Sequence, residues 1–303
     1  MKTDVILFHG DFDGIASAAL IVNIFKPAAG FASFPCEPFS VNKILKRFDS
    51  LINEGACLNE LFMADVAPNN KCIGMTEKFA ARCAEIFNKI TIYDHHNGWK
   101  NIKLPDSIIK NIDASFKSCA SLIYSSAYEK NDFLTLITRD ADIIDSGGYE
   151  GIDERSAAVY KALKSNLKDD EVKIKSLQFM LCSYSDAGLY DFFLLKAAGY
   201  ETILSRSLAL ISSGLIELSP RICFIDIGKN KCDITAIIMR CYEKYPIVII
   251  EYQAKEVIFN VIATAAAGVD LVKILKLKGG AKYRVTIVKR DLNELVKTLE
   301  SNI

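Results

Sequence analysis

The chain has 303 residues, half of them apolar and 24% charged, which is enough to bury one large core or two moderate ones. Its 37 basic residues equal its 37 acidic ones, so it lacks the global positive field that drives non-specific binding to long nucleic acid, and a nucleotide must be held locally. No apolar stretch reaches bilayer-spanning length, and the N-terminal segment, acidic at Asp4, fits neither a secretory signal nor a transit peptide. The nine cysteines form no Cys-x-x-Cys pair and stand mostly in apolar periodic segments. They read as reduced core residues of a cytoplasmic protein.

In chain order, the apolar run at residues 5–9 predicts a short strand, then a loop over Gly10–Gly14 and a helix over 15–25. The pattern recurs where Leu61–Ala64 runs into Asp65 and a helical stretch to about Phe87, and where Ile90–Tyr93 runs into Asp94, His95 and His96. Strands alternating with helices predict a parallel sheet in an α/β layer. From about Phe116 to Leu218 the pattern is almost wholly helical, with breaks near Asn131, Gly147-Gly148, Asn166 and Gly199. After Pro220 the alternation resumes, with strands at 221–227, 247–252, 257–263 and 283–288 and helices near 232–243 and from Val269. The expected organisation is a parallel-sheet α/β domain with flanking helices over 1–190, a helical connector over 191–218, and a smaller α/β domain over 219–303.

The chain has three histidines, and each stands at or just after the end of a predicted strand beside aspartates. His9, Asp11 and Asp13 are spaced by two, so in an extended segment they point the same way and offer one imidazole and two carboxylates to a divalent cation. Asp-Gly is also ordinary turn chemistry, and Asp13 alone could cap the following helix. If the strand ending at Asp65 lies beside the first, its carboxylate joins those of Asp11 and Asp13. Carboxylates so close cannot all remain ionised without cations between them. Asp94-His95-His96 places a carboxylate and two imidazoles at one strand end, a density of polar groups that is costly to bury unpaired. Strand ends are also where open parallel sheets place their ligands.

These segments resemble the motifs of the DHH phosphoesterase superfamily in its RecJ-like form. HGDFDGIASAAL is similar to the first motif, FMADVAP to the second and YDHHN to the third, in family order; IDASFKSCASLIY resembles the passage after the third. The likeness spans residues 1 to about 190. It implies two Mn²⁺ ions per chain, with Mg²⁺ as the alternative: His9, Asp11 and Asp65 at one, and Asp13, Asp65, His95 and a fourth-motif aspartate at the other, Asp65 bridging. Within TRDADIIDSGG the best match to the fourth motif is Asp142, and Asp145 is the alternative. The resemblance also implies that His96 faces the substrate phosphate and that Asp94 orients an imidazole from behind.

The C-terminal region resembles, more weakly, the DHH-associated substrate domain, which implies substrate contacts at Asn260, Gly279, Gly280 and Lys282. The usual Gly-Gly-Gly-His run is replaced by Gly279-Gly280-Ala281-Lys282, and an Arg-containing strand motif is replaced around Phe259-Asn260-Val261. Gly279-Gly280 either brings backbone N–H groups to a phosphate or forms only a tight turn. The expected activity is metal-dependent hydrolysis of phosphoester bonds in small nucleotides: short oligonucleotides, the bisphosphate pAp or cyclic dinucleotides. Neither a membrane nor long double-stranded DNA is an expected partner, and a homodimer stays open. Alternatives are a RecJ-like single-strand exonuclease, an inorganic pyrophosphatase, and a nucleotide-binding regulator that does not turn over. Against the exonuclease, the chain has no basic surplus to track a strand. The pyrophosphatase family has a wider His-to-Asp spacing in its first motif.

Overall fold

The computed structural model describes residues 2–27, 30–68, 72–148, 150–253, 257–264, 267–277, 283–288 and 291–302, without the side chains of Lys100 and Asn101. They form two compact units that divide between Ala198 and Gly199. In the first, β1 (Lys2–Phe8), α1 (Phe12–Phe25), β2 (Ala32–Pro35), α2 (Val41–Asn53), β3 (Cys57–Ala64), α3 (Ile73–Ile86), β4 (Lys89–Asp94) and β5 (Ile108–Ile112) precede a run of helices. These are α4 (Cys119–Ser125), α5 (Asp132–Asp145), α6 (Glu154–Ser165), α7 (Asp170–Leu181) and α8 (Ala187–Ala197).

Among the described residues the first sheet has the order β2-β1-β3-β4-β5, parallel throughout, as the alternation of strands and helices predicts. Its two faces are packed differently. Val5, Leu7, Leu61, Met63, Ile90 and Ile92 join Ile44 and Phe48 of α2 and Phe79 and Cys83 of α3 in one core. On the other face lies α1, every residue of which from Phe12 to Ile21 is buried. It is apolar all round because α4, α5 and α7 enclose it.

Register decides where the site forms. Phe8 pairs with Ala64, and Ala64 with Tyr93, so the three central strands end level. The ladder runs one residue further: His9 N–H donates to the Ala64 carbonyl at 3.1 Å and Asp65 N–H to the Tyr93 carbonyl at 3.0 Å. The residues that follow the three strands therefore emerge side by side.

Helix α1 starts earlier than its apolar pattern predicts. Asp11 is its N-cap, taking the Gly14 N–H at 3.0 Å, so Asp13 sits in the first helical turn and not in an extended segment. The capping role that Asp13 could have played belongs to Asp11. Gly14 is required by this fold-back, since a Cβ there would lie 2.3 Å from the His9 carbonyl oxygen.

The second unit contains α9 (Tyr200–Gly214), β6 (Ile216–Ser219), β7 (Ile222–Gly228), α10 (Ile234–Tyr242), β8 (Ile247–Gln253), β9 (Val257–Ala263), α11 (Leu271–Ile274), β10 (Arg284–Val288) and α12 (Leu292–Glu300). Its sheet runs β10-β9-β8-β7-β6 and is mixed: β7 and β8 are parallel and the other neighbours antiparallel. One face packs on Leu271 of α11 and Leu295 and Leu299 of α12. The other packs on Ile237, Ile238 and Cys241 of α10 and Leu210 and Ile211 of α9. The stretch 191–218, expected as a connector, falls on both sides of the boundary, with α8 in the first unit and α9 in the second. Among the described residues no helix is long and apolar enough to cross a membrane.

The buried ring of Phe48 stands 6.1, 6.3 and 5.2 Å from those of Phe34, Phe79 and Phe87. Phe48→Ala is expected to cost about 3–5 kcal/mol of stability in urea unfolding, the transfer term plus the cavity it leaves. A loss under about 1 kcal/mol would mean that the ring does not pack as described.

Candidate metal centre

Among the described residues, three groups of ligand-type side chains converge beyond the level strand ends. His9, Asp11 and Asp65 form one, Asp65, His95 and His96 a second, and Asp13, His95 and Asp145 a third; within each, one ligand atom per residue lies within 4.8 Å of the others. Asp65 and His95 each belong to two groups and link all three. Asp65 has φ +61°, a left-handed conformation uncommon for a side chain with a Cβ. Strain of this kind costs on the order of 1–3 kcal/mol and persists only where the surroundings impose it. Here the amide is fixed by Tyr93 while the carboxylate turns to meet His9, whose Nδ1 is 3.5 Å from Asp65 Oδ2 and 2.9 Å from Asp11 Oδ2.

The remaining groups are held from behind. Asp13 accepts the backbone N–H groups of Cys119 at 2.8 Å and Ala120 at 2.9 Å, so the start of α4 fixes its carboxylate. Asp94 is wholly buried. Its Oδ1 takes His96 N–H at 2.8 Å and His96 Nδ1 at 2.9 Å, and its Oδ2 takes Trp99 Nε1–H at 2.9 Å. His95 Nδ1 faces the Phe116 carbonyl at 3.4 Å, which assigns the proton to Nδ1 and leaves the Nε2 lone pair pointing inward.

That inward nitrogen tests whether a cation fits. His95 Nε2 lies 3.6 Å from Asp65 Oδ1, 3.7 Å from Asp13 Oδ2 and 3.4 Å from Asp145 Oδ2. Both His95 Nε2 and Asp65 Oδ1 are buried without a hydrogen-bond partner among the described residues. Each orphan of this kind costs about 1–3 kcal/mol. A lone pair facing carboxylates is repulsive until a proton or a metal ion comes between, and mixed imidazole and carboxylate donors suit a divalent ion such as Mn²⁺. The donor set therefore fits the metals that the sequence motifs imply.

The crowding shifts the protonation of these groups. Burial and the neighbouring Asp65, Asp145 and Asp11 charges push the Asp13 carboxyl well above its usual range. Burial likewise pushes Asp145 up to about 6. Burial opposes charge on His9, yet Asp11, Asp65 and Glu37 hold its imidazole well above the ordinary value. Burial would also raise Asp65, but the His9 and His96 imidazoles that face it keep it low.

The structure brings together His9, Asp11, Asp13, Asp65, Asp94, His95 and His96. It does not bring Asp142, whose Oδ1 accepts the Ser118 hydroxyl at 2.5 Å and which lies outside all three groups. Asp145, one turn later on α5, stands in its place. Asp140 is engaged elsewhere, accepting from Arg139 and from the Asp153 backbone. In the second unit Asn260 is buried in β9 and its Oδ1 takes the Thr286 hydroxyl of β10 at 2.7 Å, a cross-strand bond and not an open contact. Gly279, Gly280 and Lys282 lie outside the described residues. Two residues beside the centre had no reading from sequence, Glu37 after β2 and the buried Lys173 of α7.

No protein-family model matches the sequence, and no curated protein does. Solved structures do match it. RecJ from Thermus thermophilus in complex with Mn²⁺ is similar over 99% of this chain, at 12% identity and a TM-score of 0.62; the match covers 51% of that chain, so this protein spans about half its length. An exonuclease RecJ bound to manganese is similar at 12% identity and a TM-score of 0.54, over 99% of this chain and 89% of that one. CDC45 from Entamoeba histolytica matches at 10% identity and a TM-score of 0.50, over 99% and 95%. The fold is thus RecJ-like.

Two outcomes are expected from this geometry. Asp145→Asn should reduce metal binding measured by Mn²⁺ titration, whereas Asp142→Asn should leave it unchanged and lower stability by about 1 kcal/mol through the weakened Ser118 bond; the reverse pattern would restore Asp142 as the ligand. Because a metal ion needs ionised carboxylates and a neutral imidazole, and His9, Asp13 and Asp145 all hold their protons above the ordinary values, its affinity should rise with pH and fall steeply as pH drops through the Asp145 value of about 6, with proton release on binding. Calorimetry showing a constant affinity from pH 5 to 8 would contradict this.

Proposed function

We propose that the chain is a divalent-metal-dependent phosphoesterase acting on small nucleotides. The observation that carries the reading is the pair of unpartnered buried atoms, His95 Nε2 and Asp65 Oδ1, at the meeting point of the three donor groups. The RecJ neighbours, whose names include Mn²⁺ or manganese, support the same reading. His9, Asp11 and Asp65 would hold one ion, and Asp13, Asp65, His95 and Asp145 the other. Bound there, two divalent ions lower the pKa of water and offset the charge that builds on a phosphoryl group.

The chain's own residues supply the rest. Asp94 holds His96 through Nδ1, so the imidazole presents its Nε2 from a side chain 34% exposed. Burial opposes its charge, but Asp65 and Asp94 raise its pKa well above the ordinary imidazole value, which leaves Nε2–H able to donate to a phosphate oxygen. A charge-assisted bond of that type contributes about 1.5–3 kcal/mol. Trp99 fixes the second oxygen of Asp94 and so keeps the ring's orientation.

A second reading, an exonuclease on long single strands, is favoured by the likeness to a structure named exonuclease RecJ. Purified protein with Mn²⁺ should be assayed on pAp, RNA and DNA of two to five nucleotides, cyclic dinucleotides, pyrophosphate and long single strands. Turnover of the short substrates, abolished in Asp65→Ala, is expected. Processive degradation of long strands would establish the exonuclease instead, and metal uptake without turnover of any substrate would make the protein a binding regulator.

A further inference from the structure

The Cys36 N–H donates to the Phe8 carbonyl at 2.8 Å, extending the ladder between β1 and β2 by one residue and bringing Glu37 beside His9. The turn is closed by Ser40, whose Oγ accepts the Glu37 N–H at 3.1 Å and donates to the Glu37 carbonyl at 3.0 Å. Glu37 Oε2 stands 3.1 Å from His9 Nε2. Its other oxygen, Oε1, is 3.5 Å from the Nζ of Lys173, a side chain only 6% exposed. The Lys173 stem lies across Gly10, where a Cβ would come within 2.6–2.8 Å of its Cδ, Cε and Nζ. Both carboxylate oxygens of Glu37 are thereby occupied, one by an ammonium and one by the imidazole.

Each ring nitrogen of His9 faces a carboxylate, Nε2 towards Glu37 and Nδ1 towards Asp11 and Asp65. Nδ1 is the nitrogen that faces Asp11 and Asp65, the two carboxylates with which His9 forms a donor group. A neutral imidazole carries one proton, and the stronger acceptor at one nitrogen determines which nitrogen keeps its lone pair.

We infer that Glu37 is a positioning residue for the metal centre: it holds the proton of His9 on Nε2, so that Nδ1 offers its lone pair to an ion shared with Asp11 and Asp65, and Lys173 keeps the Glu37 carboxylate in place. The inference rests on the metal-centre reading above. Carboxylates that orient a metal-binding imidazole typically change metal affinity 10–100-fold when removed.

The test is a competitive Mn²⁺ titration of the full chain, wild type against Glu37→Ala and Glu37→Gln, together with nitrogen-proton NMR of the His9 ring in Mg²⁺-loaded protein. Glu37→Ala should weaken one of the two ions about 10–100-fold and leave the other unchanged, and the solvent-protected Nε2–H signal of His9 should vanish. Glu37→Gln, nearly the same shape and so a control for folding, keeps an amide oxygen to accept the proton. It should retain the signal with a smaller loss of affinity. A Glu37→Ala protein that binds both ions as wild type does and keeps the protected signal would overturn this role while leaving the metal centre intact. Wild-type protein that takes up no ion would instead overturn the metal-centre reading and this role with it.

Discussion

Negative charge is crowded at the ends of three level strands, and the rest of the first unit is arranged around that fact. Two unit charges 4 Å apart repel by about 4 kcal/mol at an effective dielectric constant of 20. Asp11, Asp13, Asp65 and Asp145 cannot all stay ionised there unless positive charge lies between them. The surroundings supply what they can: amides at the start of α4 for Asp13, an indole for Asp94, and imidazoles for Asp65. Asp142 and Asp145 both lie in the last turn of α5, which has no basic residue, at the negative end of the helix dipole. That placement is unfavourable for a carboxylate unless a cation is near, and it sets Asp145 apart from an ordinary surface acid.

The same crowding explains the left-handed Asp65 and the burial of α1 from Phe12 to Ile21. The backbone of Asp65 cannot both continue the ladder to Tyr93 and aim its carboxylate at His9 from a relaxed strand conformation. Strain at this one residue lets a single side chain serve two donor groups. Helix α1, buried among α4, α5 and α7, brings together the elements from which Asp13 and Asp145 reach the centre. Its apolar burial is the non-directional force that holds charged groups where they would otherwise repel.

Much of this was legible in the chain because strand ends and histidines are both conspicuous. His9, Asp65 and the Asp94-His95-His96 run each follow a short apolar stretch, and parallel order makes such ends neighbours. Asp142 and Asp145 were harder to separate: three residues apart on a helix, they lie on nearly the same face, and only the end that points to His95 distinguishes them. Asn260 is ambiguous in the sequence for another reason, since a polar residue inside a strand can serve its neighbour strand as readily as a ligand. Glu37 follows a four-residue strand with no periodicity to announce it. Lys173 did leave a signal, as it shares a helical stripe with the buried Ser176, Leu177 and Met180, where a lysine has no reason to stand without a partner.

The protein has one tryptophan, and it is Trp99, buried and bound through its ring nitrogen to the carboxylate that steadies His96. Its fluorescence therefore comes from a single indole two hydrogen bonds away from the imidazole beside the donor groups, with no second indole to dilute the signal. The molecule carries its own optical reporter, in which the colour and brightness of one ring register the state of the centre without any added label.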